Sequence, residues 1–224
     1  MRQVVKILMT EHVTHDVKRF VLEKPKGLHY IPGQATLISI NKAGWMRKLR
    51  EFTFTSLNED LVLEFTIKRY PEHKGVTDQL HKLEPGSELV IREPFGTIQY
   101  AGPGVFIAGG AGITPLIVIL RRLKKDGGIA GNTLIFSNKT YDDIILENEL
   151  RTLFRENSEN LIFTLTRERR AGYESGRINR EFIKERVKDF KQNFYVCGPD
   201  PFVEAVTNFL KQLGAKTRSI VIEK

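Results

Sequence analysis

The sequence contains one cysteine, Cys197, among its 224 residues. A single thiol excludes a disulfide framework, a zinc ribbon and a four-cysteine iron–sulfur cluster built by this chain alone. No run of 18 or more apolar residues occurs, so no membrane-spanning helix is predicted. The first ten residues lack the apolar core and small-residue cleavage site of a signal peptide, so we expect a cytoplasmic protein without membrane insertion.

Histidines are few as well: there are five in the chain, and none shows the spacing of metal ligands. His12 and His15 are three residues apart, but they fall in a predicted turn with no third ligand nearby, so no metal site is predicted. The composition, with 41% hydrophobic and 28% charged residues, excludes a disordered or fibrous protein. The length favours two modest domains or one large one.

Positive charge exceeds negative charge, with 35 lysines and arginines against 27 aspartates and glutamates. The resulting net charge of +8 attracts acidic partners by long-range steering. Nucleic acid, phosphorylated cofactors and acidic proteins are all negatively charged, so the net charge alone does not identify the partner. Because no helix-turn-helix or aromatic RNA-binding signature is present, a nucleic-acid-binding protein is the less favoured alternative, and no stable nucleic-acid partner is expected.

Residues 1–101 consist of short segments separated by turn residues such as Pro32-Gly33 and Pro85-Gly86. Apolar and polar side chains alternate in residues 61–68, which is typical of an antiparallel strand with one wet face. Several strands at this spacing predict a small antiparallel barrel. The predicted strands are Val4–Met9, Lys18–Glu23, Gln34–Ile40, Arg50–Ser56, Leu61–Lys68 and Glu88–Arg92.

Residues 102–224 differ in pattern from residues 1–101, because apolar strands alternate with helical stretches. This alternation predicts a Rossmann-like α/β domain with a doubly wound parallel sheet. The predicted strands are Val105–Ala108, Thr133–Ser137, Leu161–Thr166, Asn193–Cys197 and Ser219–Glu223. The predicted helices are Pro115–Lys125, Ile145–Arg155, Arg180–Asp189 and Pro201–Leu213.

The strongest local signal is a glycine-rich segment that follows a buried strand and begins a helix. Glycines allow backbone amides to approach a pyrophosphate, and the helix N-terminus adds partial positive charge. Thr114 is a candidate helix cap and Pro115 suits the first helical turn. A tight strand-to-helix turn without a ligand is the alternative. The segment reads Gly109-Gly110-Ala111-Gly112-Ile113-Thr114-Pro115.

Three weaker motifs accompany the glycine loop. Residues 50–56 place an arginine, an aromatic ring and a hydroxyl close together, which suits binding of a phosphate and a flat ring system. The same residue types are also common in ordinary β-strands. Gly75-Val76-Thr77 begins a short helix whose amides could face a phosphate, unless it is a capped surface helix. Cys197-Gly198-Pro199 ends a parallel strand, where cleft ligands bind, unless the cysteine is only structural.

In this order the four motifs resemble the ferredoxin–NADP reductase superfamily over essentially the whole chain. Its flavin motif R-x-[YF]-[ST] matches Arg50, Phe52 and Thr53, and its last motif C-G-P matches residues 197–199. The resemblance is greatest to bacterial flavodoxin or ferredoxin reductases. It implies a flavin-binding domain at residues 1–101 and a nicotinamide-dinucleotide domain at residues 102–224.

The resemblance also implies roles for single residues on the flavin side. Arg50 would hold the flavin pyrophosphate, Phe52 would cover one ring face, and Thr53 would lie near the hydride-accepting nitrogen. FAD is favoured over FMN because the family usually carries FAD. The remaining residues implied in flavin binding are Glu51, Ile67, Lys68, Arg69, Tyr70, Gly75, Val76 and Thr77.

On the nucleotide side, Cys197 would lie near the nicotinamide ring and Glu223 would relay a proton, unless Glu223 is a solvated carboxylate near the chain's end. Thr53, Cys197 and Glu223 are therefore the candidate catalytic residues. The other residues implied in dinucleotide binding are Gly109, Gly110, Ala111, Gly112, Ile113, Thr114, Pro115, Gly198 and Pro199.

NADPH is expected rather than NADH as the reduced nucleotide. An adenosine 2′-phosphate needs cationic partners, whereas a plain ribose often pairs with an acid. Thr166-Arg167-Glu168 follows the third parallel strand, and Gly176-Arg177 follows soon after. This pair looks like the NADPH-binding bacterial reductases, which places Arg167 and Arg177 on the phosphate, although a solvated surface fits equally well.

The predicted function is hydride transfer from NADPH to bound FAD, followed by release of single electrons to flavodoxin or ferredoxin. The protein is expected to be a monomer. Two related alternatives remain open: a reductase of free flavin, and a reductase component that serves one oxygenase.

Overall fold

The computed structural model describes residues 2–96 and 98–222. The chain divides into two compact units, Met1–Gly96 and Thr97–Lys224, called unit 1 and unit 2 below. The division between cofactor-binding domains after residue 101 stays a prediction. Among the residues that are described, no helix combines the length and apolar character needed to cross a membrane.

Unit 1 is a six-stranded antiparallel barrel, as the alternation of its short segments predicts. The order of its strands is β4-β3-β6-β1-β2-β5. Their bounds are β1 (Gln3–His12), β2 (Val17–Glu23), β3 (Ala35–Ile40), β4 (Arg50–Thr53), β5 (Val62–Lys68) and β6 (Glu88–Ile91).

The barrel core follows from the two-residue period of its strands. On β5, Leu63, Phe65 and Ile67 are buried in one hydrophobic cluster, whereas the intervening Glu64 is only half-buried. Phe20 and Leu22 of β2 join the same cluster. The alternation read from residues 61–68 therefore identifies the inward face of the strand correctly.

Strand β4 is shorter than predicted and ends at Thr53 rather than Ser56. Beyond it the Phe54 amide donates to the Gln34 carbonyl at 3.1 Å, while the Thr55 amide donates to the Glu64 carbonyl at 2.8 Å. The chain thus moves from β3 to the side of β5. Phe54 and Thr55 are both buried, so the alternation that would mark a strand is lost at this bend.

The short helix α1 (Val76–Leu80) belongs to unit 1 and follows a 3₁₀ turn at Pro71–His73. Val76 and Leu80 are four residues apart, lie on one helix face and are buried in the barrel core. The helix packs against β3.

Unit 2 is a doubly wound sheet of six parallel strands in the order β10-β9-β8-β7-β11-β12, and the predicted fold class is confirmed. The strand order reverses between β7 and β11, which makes their carboxyl ends the expected ligand position. The strands are β7 (Gly104–Gly109), β8 (Thr133–Asn138), β9 (Leu161–Leu165), β10 (Glu174–Ser175), β11 (Asn193–Cys197) and β12 (Ile220–Ile222).

In the described part of unit 2, four α-helices connect these strands: α2 (Thr114–Lys125), α3 (Glu147–Leu153), α4 (Arg180–Arg186) and α5 (Asp200–Gln212). Side chains of α4 and α5 pack with Val105 and Val196 of the central strands. On the other sheet face Phe106 and Tyr195 stack with their ring centroids 4.4 Å apart. Helix α4 ends three residues before the predicted bound, because Val187 is extended and buried in the core.

Candidate functional site

Arg50, the predicted pyrophosphate ligand, begins β4 with an exposed side chain. Its Nη1 donates to the carbonyl of the adjacent Leu49 at 2.7 Å, and no acidic partner is found for it among the described residues. Along the same strand Glu51 is exposed, Phe52 is half-buried against the barrel core and Thr53 is buried. A guanidinium group and an aromatic ring thus project from one short strand, as a flavin nucleotide requires.

The predicted flavin-edge residues 67–70 end β5, and their side chains are engaged in different ways. The Ile67 side chain lies in the core, and its carbonyl oxygen is 2.8 Å from Nε2 of His81. Lys68 pairs with Asp16 at 2.6 Å. Tyr70 is 40% exposed, and its ring stacks on the ring of His73 with the centroids 5.9 Å apart.

Arg69 is held by a carboxylate that the sequence analysis missed. Its Nη2 lies 2.8 Å from Oδ1 of Asp78, and Lys82 pairs with the other Asp78 oxygen at 2.7 Å. The hydrogen bond from Lys82, followed by that from Arg69, lowers the pKa of Asp78. Since Asp78 lies on α1, this pair ties the end of β5 to the helix that begins at Gly75.

Gly75, Val76 and Thr77 form the start of α1. Gly75 is extended at the N-cap and no side chain caps the helix, so the first amides have no intrahelical acceptor. Because α1 packs on β3 and β3 pairs with β4, these amides and Arg50 belong to neighbouring elements of unit 1. The expectation that both bind the flavin diphosphate stays a prediction.

One further observation tests whether unit 1 suits a flavin. Thr66 on β5 is buried, and its hydroxyl Oγ1 has no hydrogen-bond partner among the described residues. The segment that follows Thr53 runs beside β5 through the bond from the Thr55 amide to the Glu64 carbonyl. A buried hydroxyl without a partner is costly, at about 1–3 kcal/mol, so a polar ligand edge at this position would relieve it. The donor set of unit 1 therefore fits FAD.

In unit 2 the glycine loop leads from β7 into α2, as predicted. Residues Gly110–Ile113 form a 3₁₀ turn, and Gly110 has φ +52° with open space where a Cβ would lie. Gly112 is different, because a Cβ there would lie 2.5 Å from the amide nitrogen of Gly198 and closer still to the carbonyl of Cys197. The loop and the end of β11 are thus in direct backbone contact, which joins two of the four motifs.

Thr114 does not cap α2, so that prediction was wrong. Its hydroxyl donates to the Ala111 carbonyl at 3.0 Å, and the residue itself is the first of the helix. Ile113 occupies the N-cap position without a side-chain cap, and Pro115 lies in the first turn as predicted. The first amides of this twelve-residue helix therefore remain without side-chain acceptors, which suits a phosphate.

The end of β11 borders a cavity of about 530 Å³ in unit 2, lined by Cys197, Gly198 and residues of α5. Cys197 is buried, and Pro199 is exposed just before α5. Thr207 on the cavity wall has a buried hydroxyl Oγ1, for which the described part of the chain offers no hydrogen-bond partner. A polar group with no partner fits an amide-bearing ligand such as nicotinamide.

The ends of β8 and β9 are bonded to each other beside the glycine loop. The Thr166 amide donates to the Asn138 carbonyl at 2.9 Å, and the Arg167 amide donates to Lys139 at 2.8 Å. Asn138 is 5% exposed, yet within residues 2–96 and 98–222 neither the nitrogen nor the oxygen of its side-chain amide has a hydrogen-bond partner. Unit 2 therefore presents polar groups without partners at the sheet edge where dinucleotides bind in this fold.

Arg167 and Arg177 occupy equivalent places on neighbouring strands. Leu165 of β9 pairs with Ser175 of β10, and each arginine follows its strand by two residues. Both side chains are exposed, and in the described ranges neither forms an ion pair. The sequence did not reveal β10, which is two exposed polar residues long.

The segment 167–176 between these arginines is held in place by contacts that sequence reasoning also missed. Arg170 lies 3.7 Å from the ring centre of Tyr141, whose amide donates to Glu168 at 2.8 Å. The Tyr173 hydroxyl donates to Glu147 of α3 and accepts from Arg151. Desolvation, and then the bond to Glu147, raise the pKa of Tyr173.

Glu223, the third candidate catalytic residue, lies outside the described residues. Thr53 and Cys197 belong to unit 1 and unit 2 respectively. Their catalytic roles stay predictions.

Comparison with known proteins defines the class as oxidoreductases with an FAD-binding and an NAD-binding domain. The model of the oxidoreductase FAD-binding domain matches residues 4–100, and that of the oxidoreductase NAD-binding domain matches residues 106–208. NADH-cytochrome b5 reductase 1 of Aspergillus terreus is 31% identical, with 90% of this chain and 74% of the relative covered. NADH-cytochrome b5 reductase 2 of Xenopus laevis is 29% identical, with 93% and 83% covered.

Solved structures show the same fold. The FAD/NAD-binding domain of nitric oxide dioxygenase from Vibrio cholerae superposes with a TM-score of 0.88 at 21% identity, covering 98% of this chain and 97% of that one. A ferredoxin NADP⁺ reductase from Neisseria gonorrhoeae gives 0.83 at 19% identity, covering 99% and 97%. The chain belongs to the ferredoxin–NADP reductase family and is an oxidoreductase that uses FAD and a pyridine nucleotide.

Proposed function

We propose that the protein oxidises NADPH through bound FAD and delivers the electrons singly to a separate acidic carrier protein, flavodoxin or ferredoxin. When bound, FAD takes up a hydride and gives the two electrons back one at a time, so each NADPH reduces two one-electron carriers with release of one proton. The residues of this chain bind and orient the two cofactors.

In this proposal unit 1 holds FAD and unit 2 holds the nucleotide. Arg50 would bind the flavin diphosphate, and Phe52 and Thr53 would contact the flavin ring. The first amides of α2, which follow the glycine loop and have no side-chain cap, receive the dinucleotide phosphates. Cys197 at the end of β11 contacts the nicotinamide. The buried groups without partners, on Thr66, Asn138 and Thr207, support these positions.

The preference for NADPH rests on Arg167 and Arg177. Their equivalent positions after two paired strands place two exposed cations at one sheet edge. No acid occupies residues 165–167, where it could accept bonds from ribose hydroxyls, and Glu168 accepts instead from the Tyr141 amide. Two guanidinium groups without acidic partners suit an adenosine 2′-phosphate.

A second candidate function is supported by the relatives, which are named NADH-cytochrome b5 reductases. In that case NADH would be the donor and a haem protein the acceptor. The two candidates share the fold, the FAD site and the glycine loop. They differ in the nucleotide preference and in the carrier that is reduced.

An anaerobic titration of the purified yellow protein separates these candidates. We expect NADPH to bleach the flavin absorbance at a concentration about tenfold lower than NADH does. Replacing both Arg167 and Arg177 with alanine should weaken the binding of NADPH about tenfold, because charged hydrogen bonds are lost. The binding of NADH should stay nearly unchanged. The matched control is Arg218→Ala, an exposed arginine of unit 2. Bleaching by NADH at the lower concentration favours the second candidate instead.

Gel filtration before the titration tests two remaining alternatives. A flavin that stays with the protein excludes a reductase of free flavin. Mixing the reduced protein with flavodoxin, ferredoxin, cytochrome b5 or an oxygenase component then identifies the class of acceptor by the rate at which each is reduced.

A further inference from the structure

A cavity of about 390 Å³ in unit 1 is formed where three parts of the barrel adjoin. These parts are the start of β1, the connection between β2 and β3, and the segment that follows β6. The first residue of β1 pairs with the last residue of β6, and β1 also pairs with β2, which brings the three together. The cavity is called the barrel pocket below. Its lining includes Gln3, Lys26, Leu28, His29, Arg92 and Glu93.

Arg92 brings a buried donor without an acceptor to the barrel pocket. Its Nη1 is shielded from water, and residues 2–96 and 98–222 offer this atom no hydrogen-bond partner. The main chain of Arg92 is fixed, because the Thr36 hydroxyl accepts from its amide at 3.0 Å and donates to its carbonyl at 2.8 Å. A buried guanidinium nitrogen without an acceptor is costly, since its hydration is lost and not replaced. An anion bound in the pocket would supply the acceptor.

The connection between β2 and β3 holds the facing wall of the pocket in place. Gly27, with φ +75°, allows a turn in which the Leu28 amide donates to the Pro25 carbonyl at 3.3 Å. Leu28 and Tyr30 are both buried in the barrel core, and His29 lies between them with an exposed side chain. The position of His29 is therefore set by two anchored neighbours. A preformed wall of this kind loses little conformational entropy when a ligand binds.

The charges of the pocket wall favour an anion. Lys26 and His29 are exposed, and in the described part of unit 1 neither they nor Arg92 form an ion pair. Glu93 is an exposed acid of the same lining, so it opposes an anion in part. Two cations, an imidazole and the Gln3 amide thus outweigh one carboxylate. The donors suit a ligand with a negative charge and several acceptor oxygens.

A phosphate group matches this donor set. A planar guanidinium can donate two parallel hydrogen bonds to phosphate oxygens, and a lysine ammonium adds a point charge. The cavity of about 390 Å³ falls within the range of small-molecule pockets, roughly 300–1,000 Å³, so it has room for more than a phosphate ion. The buried side chain of Leu28 gives the remainder of a ligand an apolar wall. The pocket therefore suits a small phosphate monoester.

The barrel pocket is separate from residues 67–70, which are proposed to line the flavin edge. Along the pair of strands β2 and β5, Val17 is opposite Lys68 and Glu23 is opposite Val62. The pocket wall follows the Glu23 end of β2, whereas residues 67–70 lie at the Lys68 end of β5. At about 3.3 Å per residue these two ends are roughly 20 Å apart. A ligand in the barrel pocket would therefore leave the flavin edge unoccupied.

We propose that the barrel pocket binds a phosphate group through Arg92, with Lys26 and His29 beside it. The group is carried by a small phosphate monoester or supplied as free phosphate. When bound, it connects the segment after β6 to the connection between β2 and β3, and so stabilises unit 1. This site goes beyond the proposed function, because neither the hydride nor the electrons pass through it.

Isothermal titration calorimetry of the purified yellow protein tests the proposal with two probes, inorganic phosphate and glucose 6-phosphate. NADP⁺ is present at saturation throughout, so that the dinucleotide site does not contribute. The variants are Arg92→Gln, Arg92→Lys, Lys26→Gln and Glu93→Gln. Arg47→Gln is the matched control, since Arg47 is an exposed arginine of unit 1 outside the pocket lining. Bleaching of the flavin by NADPH, without the probes, is recorded for each variant.

We expect the parent to bind glucose 6-phosphate with a dissociation constant below about 1 mM, and inorganic phosphate more weakly. Arg92→Gln should weaken binding about tenfold or more, because a charge-assisted contact is lost, and Arg92→Lys should restore only part of it. Lys26→Gln should weaken binding about threefold, as for an exposed charge. Glu93→Gln should strengthen binding, since an opposing charge is removed. Arg47→Gln should bind as the parent does, and NADPH should bleach all variants equally.

Melting curves with and without glucose 6-phosphate test the stabilising role and show whether each variant is folded. A rise in melting temperature that the parent shows and Arg92→Gln lacks supports the proposal. If Arg92→Gln does not fold, the opposite effects expected of Lys26→Gln and Glu93→Gln decide the outcome. Absence of saturable binding up to about 10 mM of either probe, or equal affinity in the parent and Arg92→Gln, would overturn the proposal. Tighter binding of succinate than of both probes would assign the pocket to carboxylates and overturn it as well.

Discussion

Gly112 of the dinucleotide loop lies directly against the backbone of Cys197 at the end of β11. A Cβ at position 112 would meet the carbonyl of Cys197 and would lie 2.5 Å from the amide nitrogen of Gly198. Because backbone atoms cannot rotate away, only glycine fits. The contact fixes the start of α2 relative to the residue proposed to face the nicotinamide.

Replacing Gly112 with alanine should therefore move the loop away from β11 or destabilise unit 2. We expect a loss of about 1–3 kcal/mol in the free energy of unfolding, as for overpacking of a close contact, and weaker dinucleotide binding. Urea unfolding and NADPH titration measure the two effects. Gly128→Ala is the matched control, since its Cβ would meet nothing closer than 3.7 Å. Equal stability of the two variants would contradict the steric argument.

The strand periods and the glycine spacing were sufficient to predict the barrel, the parallel sheet and the loop between β7 and α2. These features depend on residues close together in the chain, so local patterns carry the signal. The Thr114 cap was wrong because Ile113 already has helical geometry, which moves the N-terminus of α2 by one residue. No local rule could distinguish the two positions.

The long-range contacts could not be predicted from the sequence. Asp78 pairs with Arg69 across the 3₁₀ turn at Pro71–His73, and Tyr173 reaches Glu147 over 26 residues. The strand β10 has two polar residues and no hydrophobic period, so nothing indicates it until β9 lies beside it. Each of these features becomes visible only when the fold brings distant segments together.

Arg50 provides a test of FAD binding by unit 1. The Arg50→Ala variant should be purified with much less flavin, because loss of a charge-assisted bond to a diphosphate costs about 1.5–3 kcal/mol. Fluorescence titration of the flavin-free protein with FAD measures the affinity, and we expect about a 10- to 100-fold increase in Kd. Arg2→Ala, also an exposed arginine of unit 1, should bind FAD as the parent does.

Tyr173 should affect nucleotide binding through the segment 167–176. In Tyr173→Phe the ring remains, but the hydroxyl no longer bridges Glu147 and Arg151. We expect about 1 kcal/mol less stability and roughly a threefold weaker affinity for NADPH, because Arg167 and Arg170 lie on the segment that is released. Affinity for NADH should change less. Tyr100→Phe is the matched control in unit 2, and the same loss of NADPH affinity there would rule out the anchoring role.

His81 gives unit 1 a stability that depends on pH. Burial lowers its pKa, the hydrogen bond with the Ile67 carbonyl partly opposes this, and nearby His12, Lys18 and Arg69 lower it further. Between this lowered pKa and the ordinary value of 6.5, the unfolded chain binds more protons than the folded protein. Stability should therefore rise with pH across that window and be fully present above 6.5.

His81→Gln should make this part of the stability profile flatter, since glutamine can still donate to the Ile67 carbonyl but does not titrate. Urea unfolding between pH 5 and pH 7.5 measures the slope for each variant, with about one proton as the largest difference expected from a single histidine. His73→Gln is the matched control, because His73 is exposed and its side chain lies on the 3₁₀ turn before α1. A slope that is unchanged in His81→Gln, or equally reduced in both variants, would show that another group controls the acid sensitivity of the barrel.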